Sequence, residues 1–273
     1  MRIFKVEEIL TKLNYCIENK RPFSVIRFGD GGIKYIDALL CREEKQLDPI
    51  VIKEGLPVDN LVGILNKWGY YARRADFIDC PEVYFMDTFW ARLKGSSKKI
   101  SKETEEKLLN WKSLYYSAEF DNENYCNPEL NYLSIMRMGE KKNLLDLMKR
   151  RKVCIITPFP KIREVLYPFN VDIVKIVGQY EDQYYNSFEE VSKRIKQDGK
   201  KYDFWLVAAG ELGRLYSGMI KENGGRSFDL GFVIEFWLGE ELHPRLRLFL
   251  ERSIDNSFEL SLTERGRKYE EFI

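Results

Sequence analysis

The sequence predicts an α/β fold with a mostly parallel sheet covered by helices. Three observations predict it. The stretch SVIRFGDGGIKYIDALL, Ser24 to Leu40, sets an apolar run, a glycine-rich turn and a helical pattern in that order, the opening unit of many nucleotide-binding α/β folds. Residues 150–235 alternate short apolar runs with helical patterns, as a parallel sheet with crossover helices requires. With 273 residues, 44% of them hydrophobic, the chain is long enough to bury a large core.

Val6, Ile9, Leu10, Leu13 and Ile17 have helix spacing, and Pro22 ends the pattern. Phe23 to Phe28 reads as a strand, Gly29 to Gly32 as a turn, and Ile33 to Leu40 as a helix. A charged connector follows, and Asn60 to Trp68 is helical. Val83 to Phe89 fits a strand and a helix alike. Gly95 to Ser101 reads as a loop, Thr104 to Trp111 as a helix, and DNENYCNP at 121–128 as a polar excursion.

Leu144 to Lys149 reads as the end of a helix. Val153 to Thr157 is a fully buried strand by composition, stopped by Pro158 and Pro160. Ile162 to Leu166 begins a helix, and Val171 to Val177 is β-rich. Phe188 to Ile195 is helical, with Asn186 or Ser187 as its cap. Asp203 to Ala209 is the next strand and Leu212 to Lys221 the next helix, closed by Gly224 and Gly225. Phe228 and Leu230 continue a short strand toward Gly231, and Leu246 to Leu250 is helical. No linker or internal repeat divides the chain. It reads as one domain over 1–273 with an irregular insertion at 70–130.

Lys and Arg total 44 against 43 Asp and Glu. That balance argues against a general nucleic-acid binder. Five cysteines, Cys16, Cys41, Cys80, Cys126 and Cys154, form no CxxC pair and read as free thiols in a reducing compartment. MRIFKVEEILTKL is charged and amphipathic, without the apolar stretch of a secretion signal. No window reaches the roughly 18 apolar residues of a membrane span. The expected location is the cytoplasm; peripheral association at the inner face of the membrane and a homo-oligomer stay open.

Gly29, Gly31 and Gly32 permit close backbone approach and would leave amides exposed at a helix start, a place that attracts phosphate. Arg27 would add a charge-assisted contact. Asp30 could hold a sugar hydroxyl, act as a base, help bind Mg²⁺ or Mn²⁺, or simply cap the helix. GDGG has neither the GxGxxG spacing nor a following GK[ST]. The second candidate is AAGELGRLYSGMIKENGGRSFDLG. Gly210 follows a buried strand, and Gly213 sits at a helix start. Glu211 would oppose an anion there, and Arg214 would offset it. Tyr180, Tyr184 and Tyr185 could stack on a sugar or base, or pack at a loop edge. His243, the lone histidine, precedes Pro244 and reads as a loop residue.

Taken together, IRFGDGG and AAGELGRLYSGMIKENGGRSFDLG resemble the GT-D-type bacterial glycosyltransferases, a family long catalogued only as a domain of unknown function. The resemblance runs from about Ile26 to Trp237. It implies a Rossmann-like fold of GT-D type, a nucleotide-sugar donor, a divalent metal, and a glycan or glycoprotein acceptor in surface-polysaccharide or protein glycosylation. Arg27, Phe28, Gly29, Asp30 and Gly31 match the early motif, and Gly32 stands at the family's glutamate. Gly210, Gly213, Gly225, Asp229 and Gly231 fit the late one, and Phe232 stands at the histidine of some members.

On that resemblance Asp30, Asp229 and Glu235 are the expected catalytic carboxylates. Arg27, Gly29, Gly31, Gly32, Gly210, Gly213 and Arg214 are the expected donor-binding residues. Asp30 is the expected ligand of Mn²⁺ or Mg²⁺, unless Gly32 leaves that site one acid short; Asp37, Asp87, Asp229 or Glu235 would have to complete it. The rivals are a catalytically weakened nucleotide-sugar-binding or scaffold protein, which Gly32 and Phe232 favour, and another nucleotide-handling enzyme.

Overall fold

The most apolar runs of the chain form the middle of one parallel sheet. The structure is a computed structural model, and it describes residues 2–4, 6–27, 61–79, 124–126, 144–177, 183–231 and 233–238. The strands are β1 (Arg2–Phe4), β2 (Phe23–Ile26), β3 (Phe77–Asp79), β4 (Asn124–Cys126), β5 (Val153–Thr157), β6 (Val171–Lys175), β7 (Phe204–Val207) and β8 (Arg226–Asp229). Their spatial order is β1-β4-β3-β2-β8-β7-β5-β6, and each of these neighbours pairs in parallel. Among the described residues the helices are α1 (Val6–Glu18), α2 (Leu61–Arg74), α3 (Ile162–Val165), α4 (Gln183–Asp198), α5 (Gly213–Glu222) and α6 (Val233–Leu238), and residues 144–148 are also helical.

Alternate strand residues feed opposite faces. Cys154, Ile156, Trp205 and Val207 pack with Trp68 of α2, Ile195 of α4 and Leu215 of α5. Val153, Ile155, Phe204 and Leu206 pack with Leu13 of α1, Ile162 of α3 and Trp237 of α6. Both faces are covered, which is why β2, β5 and β7 are buried along their whole length. Connections running toward the β6 edge, through α1 and α3, lie on one face. Those running back, through α4 and α5, lie on the other. A single hand of crossover requires this arrangement.

Helix α5 comes very close to its neighbours. Ser227 Oγ donates to the carbonyl of Ser217 at 3.0 Å. A Cβ on Gly218 would overlap the ring of Tyr71 on α2. At the amino end of the sheet, Asp76 accepts the Ser24 amide at 2.9 Å and pairs with Lys221 at 2.8 Å.

Several expectations need correction. The 121–128 segment contributes strand β4, because pairing with β1 and β3 overrides its polar composition. Residues Phe77–Asp79 also join the sheet, as β3. Helix α4 begins at Gln183, so Ser187 lies inside it. Its hydroxyl accepts the Val177 amide at 2.6 Å instead of capping, tying the end of β6 to the helix. α3 is a single turn, halted before Pro168. The helices expected at 33–40, 104–111 and 246–250, and Val83 to Phe89, lie outside the described residues.

Cys16 and Cys154 are free and buried, as expected. Burial pushes the Cys154 thiol up to about 12, which suppresses its reactivity at neutral pH. No helix among the described residues is long and apolar enough to cross a membrane.

The α2–α5 contact makes a stability prediction. Gly218→Ala gains helix propensity of about 1 kcal/mol but forces Tyr71 aside, which costs about 1–3 kcal/mol. Urea unfolding should show a net loss of roughly 1 kcal/mol. A more stable variant would contradict the contact.

Candidate functional site

Strand β8 joins the two motifs. It lies between β2 and β7, with Val25 opposite Phe228 on one side and Val207 opposite Asp229 on the other. All three strands are parallel, so their carboxyl ends share one edge, where ligands bind in open α/β sheets. Arg27 leaves β2 there, the Gly210 turn leaves β7, and Asp229 with Gly231 leaves β8.

Asp229 is the centre of this edge. It is only 4% exposed. Its Oδ2 accepts the backbone amide of Arg27 at 3.4 Å, a long bond that spans 202 residues of sequence. Its Oδ1 accepts the Gly231 amide at 3.0 Å. The same carboxylate faces the first turn of α5: a Cβ on Gly213 would stand 3.2 Å from Oδ2. The glycine lets the helix start approach the acid, and the helix dipole favours a negative charge at that position.

Gly231 has φ +51°, and a Cβ there would overlap Nη1 of Arg27. The half-buried Arg27 side chain therefore lies against this turn. In the sequence Gly231 belongs to the late motif and carries no role of its own. Its contact with Arg27 depends on strand pairing and has no local signal.

Gly210, at φ +50°, opens a 3₁₀ turn over Gly210–Leu212 that runs into α5. Arg214 is 4% exposed. Its guanidinium pairs with Glu211, donates to the Glu211 carbonyl at 3.3 Å, and stacks 4.7 Å from the Trp68 ring centroid. Glu211, expected to oppose an anion, and Arg214, expected to offset it, thus meet within one helical turn. Glu235 lies in the first turn of α6 and is half-buried. Val233, Ile234 and Trp237 anchor that helix in the core.

Asp30, Gly29, Gly31, Gly32, Asp37, Asp87, Phe232 and His243 lie outside the described residues. So do Tyr180 and the side chain of Tyr184. Tyr185 is exposed in the first turn of α4. Among the described residues, no group of three His, Cys, Asp or Glu side chains is arranged to hold a metal ion.

No protein-family model matches the chain, and no curated protein matches it. A solved structure of a domain of unknown function, DUF1792, in selenomethionine-substituted form, is similar to it. The two align with a TM-score of 0.53 at 14% identity, over 87% of this chain and 80% of that one. The likeness is one of fold. It agrees with the parallel, helix-covered sheet built above.

The Arg214 cluster generates a prediction. Arg214→Ala leaves the largely buried Glu211 carboxylate without its cation and should cost about 3 kcal/mol in chemical denaturation. Adding Glu211→Gln should recover part of that loss. If the double variant is no more stable than the single one, the ion pair is not what holds this turn.

Proposed function

We propose that this chain is a nucleotide-sugar-dependent glycosyltransferase acting on a glycan or glycoprotein acceptor, built as one domain. The observation that carries the reading is the meeting of Arg27 with the Asp229–Gly231 turn. Ile26 and Arg27 of the early motif and the Asp229–Gly231 turn of the late one stand side by side at the carboxyl edge of the sheet. The fold likeness to a domain of unknown function supports the architecture.

In this reading the donor diphosphate lies over the carboxyl ends of β2, β8 and β7. Charge grows on it as the glycosidic bond breaks and must be neutralised. Near Gly210 and Gly213 that role is limited, because Asp229 faces the α5 start and Glu211 is close by. The stronger anion attraction comes from the β2 side, from Arg27 and from the amides of Gly29, Gly31 and Gly32. Arg214 acts indirectly by neutralising Glu211.

The acceptor hydroxyl needs a base, and Asp30, Asp229 and Glu235 are the carboxylate candidates. A bound Mn²⁺ or Mg²⁺ would supply Lewis-acid neutralisation of the phosphates. The described donors do not form a cage for it, so the steps above use only the chain's own groups.

Titration with UDP-, GDP- and dTDP-sugars, with and without Mn²⁺, tests the reading. One nucleotide class should bind, and adding an acceptor should release the nucleotide. Binding without turnover would favour the scaffold alternative, for which Gly32 and Phe232 speak. Binding of none would reject the proposal.

Asp30→Asn should cut turnover by at least about a hundredfold while the circular dichroism spectrum stays that of wild type. Wild-type turnover in this variant would remove Asp30 from the mechanism.

A further inference from the structure

We propose that Asp229 and Gly231 are positioning residues for Arg27, setting its guanidinium as the principal anion-binding group of the site. The inference rests on the donor-diphosphate reading above and reassigns Asp229 within it.

Burial and bonding point away from a direct chemical role for Asp229. It is 4% exposed, and its two oxygens take amides from two different loops, Arg27 and Gly231. The α5 start closes on it through Gly213. A carboxylate enclosed in this way presents little surface to an acceptor hydroxyl. What it does hold is the backbone of Arg27 at the point where the chain leaves β2.

The Arg27 side chain is set by the other end of the same turn. Gly231 adopts φ +51°, a conformation that L side chains rarely take. A Cβ at this position would occupy the place of Arg27 Nη1. Asp229 stabilises the turn by accepting the Gly231 amide. One short segment, Asp229 to Gly231, therefore fixes both the backbone and the guanidinium direction of Arg27. An arginine held by its surroundings loses less freedom when it forks onto a phosphate.

The test is a set of double-variant cycles read in ligand affinity. The dissociation constants of UDP, GDP and dTDP are measured by calorimetry for the wild type. The tightest of the three is then measured for Arg27→Ala, Gly231→Ala, Asp229→Asn and the two pairs containing Arg27→Ala. Circular dichroism and urea unfolding verify that each variant is folded. Each single change should weaken binding roughly ten- to a hundredfold. Gly231→Ala and Asp229→Asn should have little further effect once Arg27 is alanine, because they act through it.

Additive losses would overturn the proposal, and so would a Gly231→Ala protein that binds as the wild type does. If Gly231→Ala does not fold, the Asp229→Asn cycle decides by the same criterion. Loss of affinity in Gly231→Ala with none in Arg27→Ala would leave the donor reading standing and remove this inference. If the wild type binds no nucleoside diphosphate, the donor reading fails and the inference falls with it.

Discussion

The placement of β8 between β2 and β7 is the constraint on which the rest of the structure depends. This strand is buried throughout, yet three of its four residues are polar: Arg226, Ser227 and Asp229. Each is bonded to a different part of the chain. Arg226 donates to the carbonyls of Asp203 and Tyr202, Ser227 to the carbonyl of Ser217, and Asp229 accepts from Arg27 and Gly231. A buried polar group left unpaired costs about 1–3 kcal/mol. A slip of one residue would break all of these bonds at once. Apolar strands such as β5 and β7 can be placed by their hydrophobic faces; β8 is placed by its polar bonds, and these specify register more sharply.

That register also determines the electrostatics of the carboxyl edge. Asp229 is brought against the α5 start, where a bound anion would otherwise be drawn. Glu211, one turn away, is neutralised by Arg214, whose guanidinium lies on Trp68. The charges of the late motif are thus directed at one another and at the helix. On the proposed reading, attraction for a donor diphosphate falls to the β2 side, to Arg27.

Much of the fold was legible because its signals are local. The apolar runs of β5 and β7 and the periodic helices α1 and α5 carry their own patterns. β1, β3 and β4 do not. Each is three residues long and is a strand only because a distant segment pairs with it. Ser187 followed a good local rule for caps, yet the end of β6 took its hydroxyl instead. The site was legible as two motifs, and the i,i+3 relation of Glu211 and Arg214 could be read directly. The burial of Asp229 and the role of Gly231 could not, since both follow from the pairing of β2 with β8.

This pairing has a consequence for when the site can exist. The Arg27–Asp229 bond closes a loop of 202 residues, and so long a closure carries a high entropic cost before any contact repays it. β8 supplies the repayment through polar groups that are satisfied only where β2, β7 and α5 meet it. Arg27 and the Asp229–Gly231 turn therefore come together as part of completing the sheet, not as a preformed local motif. Site geometry and global stability are coupled through one strand, and any change that weakens β8 also loosens Arg27.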